Sequence, residues 1–355
     1  MNPEMLRRES VFLRACRKQV VPYTPVWFMR QAGRYQRFYR ALRRRVSFLK
    51  LCKASELAAE VTVRACEQTG ADAAILFSDI LLVLEPMGFG VRYEKGEGPL
   101  IEDPLRKPSD IDRLRPCPRG SLGFVMEAAR MVRARLRPEI PLIGFAGAPF
   151  TLASYMIEGG KARSFDRTRA LMRRDPGAWD LLMEKISAAV TGLLKDQVSA
   201  GAGALQIFDS WAGCLTRAEY RRYVLPHMKR LIGRLPSGTP VIHFGTGTAP
   251  FLKDFSAAGG QVIGVDHRIG LAKARKIIGP RFAVQGNLDP AVLLRTPAAI
   301  RLHVRRILDE AGERPGHIFN LGHGVLPGTP ESHVRLAMEF VREESARRKS
   351  KSFPA

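Results

Sequence analysis

Residues 204–248 read ALQIFDSWAGCLTRAEYRRYVLPHMKRLIGRLPSGTPVIHFGTGT. The run opens on a short apolar stretch, ALQIFD (204–209), and leaves it through a polar turn. A helix-length pattern follows over 216–235, then a second apolar stretch, PVIHF (240–244), that ends in a glycine turn. Each apolar stretch is too short for a helix and nearly continuous in character, as a strand buried on both faces must be. Strand, helix and strand in that order make one βαβ unit of a parallel sheet.

The unit recurs along the chain. Further strand-like runs are PVWFM (25–29), DAAILF (72–77), PLIGFA (141–146), QVIGVD (261–266), FAVQG (282–286) and HIFNLG (317–322). Helical patterns lie between them, among them 55–70, 175–201 and 298–312. Ser55 and Asp175-Pro176 supply opening signals, and Gly70 and Gly201 supply stops. Eight strands alternating with helices predict an α/β fold of the (β/α)8 TIM-barrel type. An open doubly wound sheet lacks its glycine-rich turn after the first strand. The segment 88–104 reads as a β-hairpin inserted after the second strand. No long Pro/Gly/Ser linker divides the chain, so 1–345 is expected to form one barrel domain and 346–355 a flexible basic tail.

Composition narrows the class. Of 355 residues, 45% are hydrophobic, enough for a large core and against wholesale disorder. Cys16, Cys52, Cys66, Cys117 and Cys214 are scattered with no C-x-x-C pair, against a disulfide framework or a structural zinc site. No stretch approaches the roughly 20 apolar residues of a membrane span. The N-terminus is amphipathic and does not resemble a signal peptide. A cytoplasmic protein without a membrane span is expected. The 57 Lys and Arg against 34 Asp and Glu give a net charge of +23. That charge permits nucleic acid, an anionic membrane or an anionic small molecule. Much of it falls in helix-like segments such as 40–50 and 129–138, where a solvated face explains it. No zinc-finger spacing or aromatic RNA-binding strand supports a nucleic-acid partner.

Barrel active sites lie where strands end. Those positions hold Arg30, Gln31, Ala32, Gly33 and Arg34 after the first strand and Asp79 after the second. Tyr155 stands just beyond the third, Ser210 after the fourth and His323 after the eighth. Arg30 and Arg34 suit a ligand with several carboxylates, with Arg40 and Arg43 extending the basic lip. Asp79 suits N–H groups or a cationic intermediate. His323 between two glycines suits a carboxylate contact or a proton shuttle. The glycine turn 245–248 is a weak phosphate-cradle candidate. Neither a metal-ligand cluster nor a nucleophile paired with a base appears.

The motifs VWFMRQAGRY, AAILFSDIL, GFAGAPFTLASYMIEGG, QIFDSWAG, VQGNLDP and FNLGHGVLPGTP closely resemble the uroporphyrinogen decarboxylase family, in order, from about residue 25 to 335. The resemblance implies a (β/α)8 barrel, a homodimer, and no metal or organic cofactor. It implies removal of CO2 from the four acetate side chains of uroporphyrinogen III, giving coproporphyrinogen III in haem biosynthesis. It further implies catalytic roles for Asp79, Arg30 and Arg34. Substrate contacts would come from Arg30, Gln31, Ala32, Gly33, Arg34, Tyr39, Arg43, Asp79, Tyr155, Ser210 and His323. The family usually reads Leu-Pro-Glu where Gln36, Arg37 and Phe38 stand, and many members carry Asp-Trp where Asp266-His267 stands. Two rival readings are a corrinoid-linked methyltransferase on the same barrel and a non-catalytic basic nucleic-acid-binding barrel. The first would need a His-x-Cys zinc-thiolate motif, and none is present. The second rests on net charge alone.

Overall fold

The computed structural model describes residues 10–94, 98–162 and 164–352. Seven strands form one parallel sheet: β1 (Ala74–Ile75), β4 (Leu142–Gly147), β5 (Ala202–Asp209), β6 (Val241–Gly245), β7 (Val262–Gly264), β8 (Ala283–Gln285) and β9 (His317–Ile318). They neighbour one another in that order, and helices fill the connections. β2 (Val91–Glu94) pairs antiparallel with β3 (Gly98–Ile101) in the region where a hairpin was expected. The turn joining them, 95–97, lies outside the described residues.

The first expected strand, 25–29, is not a regular strand; it makes one isolated parallel bridge, Val26 to Phe319. The reason is where its donors go. Pro25 has no N–H to give. The Val26 N–H goes to the Asp72 carboxylate at 2.8 Å, and the Met29 N–H to Asn320 Oδ1 at 3.1 Å. Backbone bonds still tie the segment to both sheet edges: Trp27 N–H to the Phe319 carbonyl at 3.3 Å and Asp72 N–H to the Val26 carbonyl at 2.9 Å.

Alternation along the strands sorts the two faces. Phe145, Phe208 and Phe244 meet edge to face on one side, with ring centroids 5.6 and 6.0 Å apart. A buried relay joins Trp27 Nε1–H to Gln285 Oε1 and Gln285 Nε2–H to Gln206 Oε1, both at 3.0 Å. On the other side, His243 stacks on Phe255 at 3.8 Å.

Two helix expectations need correction. The pattern over 216–235 is split into Arg217–Tyr223 and Leu225–Gly233. Pro226 cannot donate to the preceding turn, so the helix breaks at Val224 and restarts with proline in its first turn. Of the expected tail, residues 346–352 are helical, part of Glu331–Ser352, and 353–355 lie outside the described residues. Arg348 pairs with Asp309 at 2.6 Å and Lys349 Nζ donates to the Val21 carbonyl at 2.7 Å, which anchors this turn.

Candidate active site

The loop after residue 29 carries two arginines on a constrained backbone. Arg30 has φ +58°, a left-handed conformation that costs a non-glycine residue about 1–2 kcal/mol. Its neighbours hold it there. The Met29 carbonyl accepts the Val325 N–H at 3.0 Å. Gln31, 1% exposed, gives its side-chain amide to the Ala73 carbonyl at 2.9 Å and accepts from the Ile75 N–H at 3.3 Å. That side chain is therefore committed to β1. The backbone at Gly33 is held likewise: its N–H donates to Gln36 Oε1 at 3.1 Å, with Ala32 half-buried beside it. Gln36, one of the departures, thus closes this turn.

Arg30 and Arg34 remain accessible. The wall around Arg30 desolvates it, and the nearby Arg34 charge adds to the effect, so its pKa is lowered. Arg30 lies across Gly324. A Cβ at Gly324 would come within 2.4 Å of the Arg30 side chain, so glycine is required for this placement. At Gly322 a Cβ would meet the His267 backbone nitrogen at 2.2 Å. Between them, His323 accepts the Gly324 N–H on Nδ1 at 2.7 Å. Desolvation lowers its pKa, as do Arg30, His267 and Arg268. The neutral ring then presents Nε2–H as a donor.

Asp79 follows β1, and its Oδ1 accepts the Leu81 N–H at 2.8 Å. Burial raises its pKa, against the nearby Tyr93 hydroxyl and the Leu81 N–H, which lower it. Among the described residues no cation pairs with it, so the carboxylate is not spent on a salt bridge. Tyr155 lies near both Asp79 and Arg30, and its phenol is pushed up to about 12, chiefly by desolvation and then by Asp79. Its ring stacks on Trp211 at 3.9 Å, and Phe165 meets the same indole edge-on at 5.1 Å. Arg30, Arg34, Tyr155, Asp79 and His323 therefore form one group.

Tyr39 and Arg43 make a second, adjoining group. Arg43 bonds the Tyr39 hydroxyl and the Val46 carbonyl and lies 5.7 Å from the Phe48 ring. The Tyr39 ring meets Phe77 edge-on at 5.7 Å. Arg40 turns back on the loop, donating to the carbonyls of Arg34 at 2.9 Å and Tyr35 at 2.5 Å. Ser210 is half-buried at the end of β5, and its carbonyl accepts the Thr246 hydroxyl. In the 245–248 turn, the Gly247 N–H is already given to the Asp266 carboxylate at 2.7 Å, which removes a donor that an anion cradle would use.

Three residues were not singled out from sequence. Trp211 forms the aromatic wall; its backbone N–H reaches Thr151 Oγ1 at 3.3 Å, whose hydroxyl donates to Asp209 at 3.0 Å. Cys52 and Tyr93 both face Asp79. Only the aromatic character of 211 offered a signal. Cys52 sits inside a helix, and Tyr93 on β2. Among the described residues no three His, Cys, Asp or Glu side chains gather as a metal ion would require. Burial raises all five thiols, with Cys66 pushed up to about 12 and Cys214 to about 11. No helix among the described residues is long and apolar enough to cross a membrane.

Comparison with known proteins fits this picture. The uroporphyrinogen decarboxylase (URO-D) family model matches residues 7–344. A protein named uroporphyrinogen decarboxylase from Sorangium cellulosum is 52% identical over 332 residues, covering 93% of this chain and 95% of its own. One of the same name from Thermus thermophilus is 50% identical over 339 residues, covering 95% and 98%. A solved methyltransferase from Methanosarcina mazei superimposes with a TM-score of 0.80 at 21% identity, over 96% of this chain and 98% of that one, and so shares the fold. With a family model spanning most of its length and relatives near half identical throughout, the chain belongs to the uroporphyrinogen decarboxylase family.

Proposed function

We propose that this protein is a carboxy-lyase that removes CO2 from the four acetate side chains of uroporphyrinogen III, giving coproporphyrinogen III. The observation that carries the reading is an uncompensated, half-buried carboxylate, Asp79, grouped with Tyr155 near an accessible arginine pair. A macrocycle with pyrrole N–H groups at its centre and carboxylates at its edge matches that distribution.

Each decarboxylation needs a sink for the electron pair of the C–C bond. Protonation of a pyrrole ring carbon supplies one, and the ring becomes cationic. The bond to the carboxylate then breaks, CO2 leaves, and its electron pair neutralises the ring. A proton added to the exocyclic carbon and one lost from the ring complete the methyl group. Net, one acetate carboxylate and one proton become CO2 and a methyl group. An ionised Asp79 accepts pyrrole N–H bonds and stabilises the cation. Arg30 and Arg34 hold carboxylates as planar forks and are poor proton donors themselves. Tyr39, Arg43, Tyr155, Ser210 and the Nε2–H of His323 supply further contacts, together with the backbone of Gln31, Ala32 and Gly33.

We read the sheet as an eight-stranded barrel closed by the Val26 segment, supported by its bonds to both edges. The single domain, the homodimer and the cytoplasmic setting belong to the same reading; sedimentation tests the dimer. The activity is tested by incubating the protein anaerobically with reduced uroporphyrinogen III and resolving products by carboxyl number. Successive loss of four carboxyls is expected. Unchanged substrate would overturn the assignment.

A further inference from the structure

Tyr93 stands on β2, and its ring packs against Phe48 with centroids 4.7 Å apart. Its hydroxyl is buried, yet no hydrogen bond to it is formed. A buried phenol ordinarily finds a partner. The carboxylate of Asp79 lies near enough for the two groups to shift one another: the hydroxyl lowers the Asp79 pKa and the carboxylate raises that of the phenol. Around Asp79 the titratable groups are Tyr93 from the hairpin, Cys52 from the helix Phe48–Lys53 and Tyr155 from the helix Pro149–Glu158. No arginine or lysine is among them.

That choice of neighbours has a chemical logic. A cation beside Asp79 would fix the carboxylate and also cancel the charge that a cationic ring needs. A neutral O–H donor fixes it and leaves the charge intact. Burial and the Asp79 charge both raise the Tyr93 phenol, so it stays protonated and remains a donor. The hairpin is held against the helix that carries Tyr155, through Ile101 N–H to the Gly159 carbonyl and Leu105 N–H to the Met156 carbonyl, each 2.8 Å.

We propose that Tyr93 is a positioning residue, whose hydroxyl orients the Asp79 carboxylate for the substrate. The proposal rests on the function assigned above to Asp79. It makes β2 part of the active site.

Tyr93→Phe removes one oxygen and keeps the ring on Phe48. The first readout needs no substrate: a carboxyl carbon-13 titration of the free protein, with the Asp79 signal identified by its loss in Asp79→Asn. A hydrogen bond to a charged group is worth enough to move the Asp79 pKa up by about one unit in Tyr93→Phe. The acid limb of kcat/KM should move to higher pH by the same amount, with kcat lowered about tenfold below it. In an Asp79→Asn background the Tyr93→Phe change should add little. An unmoved Asp79 titration would overturn the proposal, as would a loss of stability with the pH profile unmoved. If the wild type left uroporphyrinogen untouched, the function assignment would fall, while the titration would still report whether Tyr93 and Asp79 are coupled.

Discussion

Replacing Asp79 with Asn should push activity and stability in opposite directions. The substitution is nearly isosteric, and an Asn Oδ1 can still accept the Leu81 N–H that now bonds the carboxylate at 2.8 Å. What disappears is the charge. For a cationic ring about 4 Å away in a site of effective dielectric near 20, that charge is worth about 4 kcal/mol. Loss of one preorganised electrostatic contact typically costs about 100–1,000-fold in rate, the same order. So kcat should fall by about that factor. The fold should gain. Burial holds the Asp79 pKa above its unfolded value. Its stabilising contribution is therefore complete below the unfolded pKa and is lost as pH rises through the folded one. At neutral pH the ionised group is a burden that Asn lifts, so Tm should rise at pH 7 and the gain should shrink toward acid. Turnover on uroporphyrinogen and thermal melts from pH 4 to 8 read both quantities. Near-normal turnover would show that the charge is not needed. A lower Tm at neutral pH would show that Asp79 is structural.

Arg34→Lys should impair kcat/KM at every salt concentration, because an ammonium cannot make the planar two-pronged contact. Arg347→Ala with Arg348→Ala should leave activity nearly intact and shift only its salt dependence; equal losses in a salt titration would favour the general field over the fork. Gly324→Ala should raise KM with little change in Tm, since its Cβ would meet the movable Arg30 side chain at 2.4 Å, whereas Gly322→Ala should lower Tm, since its Cβ would meet backbone at 2.2 Å. Equal melts for the two variants would contradict this contrast. Asp209 is pushed up to about 7 by burial, so its stabilising contribution should be present below about pH 4 and lost between about pH 4 and 7. Asp209→Asn should flatten the melt temperature over that window, and an unchanged pH dependence would count against the shift.

The strands were legible because both faces of a parallel sheet are buried, which leaves short, nearly continuous apolar runs such as 141–146 and 204–209. The run 25–29 has the same character but lacks the ladder, because Asp72 and Asn320, distant in sequence, take its donors. The break at Pro226 was visible as a residue, yet the helical pattern continues on both sides of it. The helix through residues 346–350 had no local signal, since Asp309 and Val21 hold it by tertiary contact. Arg30, Asp79, Tyr155 and His323 were readable as candidates because the ends of strands are where a barrel displays chemistry. Gln31 shares that position and turns inward, a difference of side-chain direction that spacing does not encode. Tyr93 comes near Asp79 only through the docking of the β2–β3 pair, and nothing in its neighbouring residues announces that.

The net charge of +23 is unevenly placed, and the placement bears on function more than the total does. Between Glu9 and Glu56 the chain has no Asp or Glu, while Arg14, Arg17, Lys18, Arg30, Arg34, Arg37, Arg40, Arg43, Arg44, Arg45, Lys50 and Lys53 make 12 of the net 23. Elsewhere carboxylates meet many of the arginines, as in Arg173 with Glu219, Arg217 with Asp254 and Arg305 with Glu344. In the acid-free stretch several cations bond carbonyls instead: Lys18 that of Pro280, Arg40 those of Arg34 and Tyr35, and Arg43 that of Val46. A carbonyl fixes the geometry of a cation without neutralising it. The loop bearing Arg30 and Arg34 therefore keeps a positive field that reaches about 8 Å at physiological ionic strength. Such a field draws in any polyanion, and under the proposed function selection falls to the paired forks and to Asp79, the one carboxylate of the group. A ligand carrying carboxylates at its edge and N–H donors at its centre satisfies both, whereas a polyphosphate backbone would satisfy only the field.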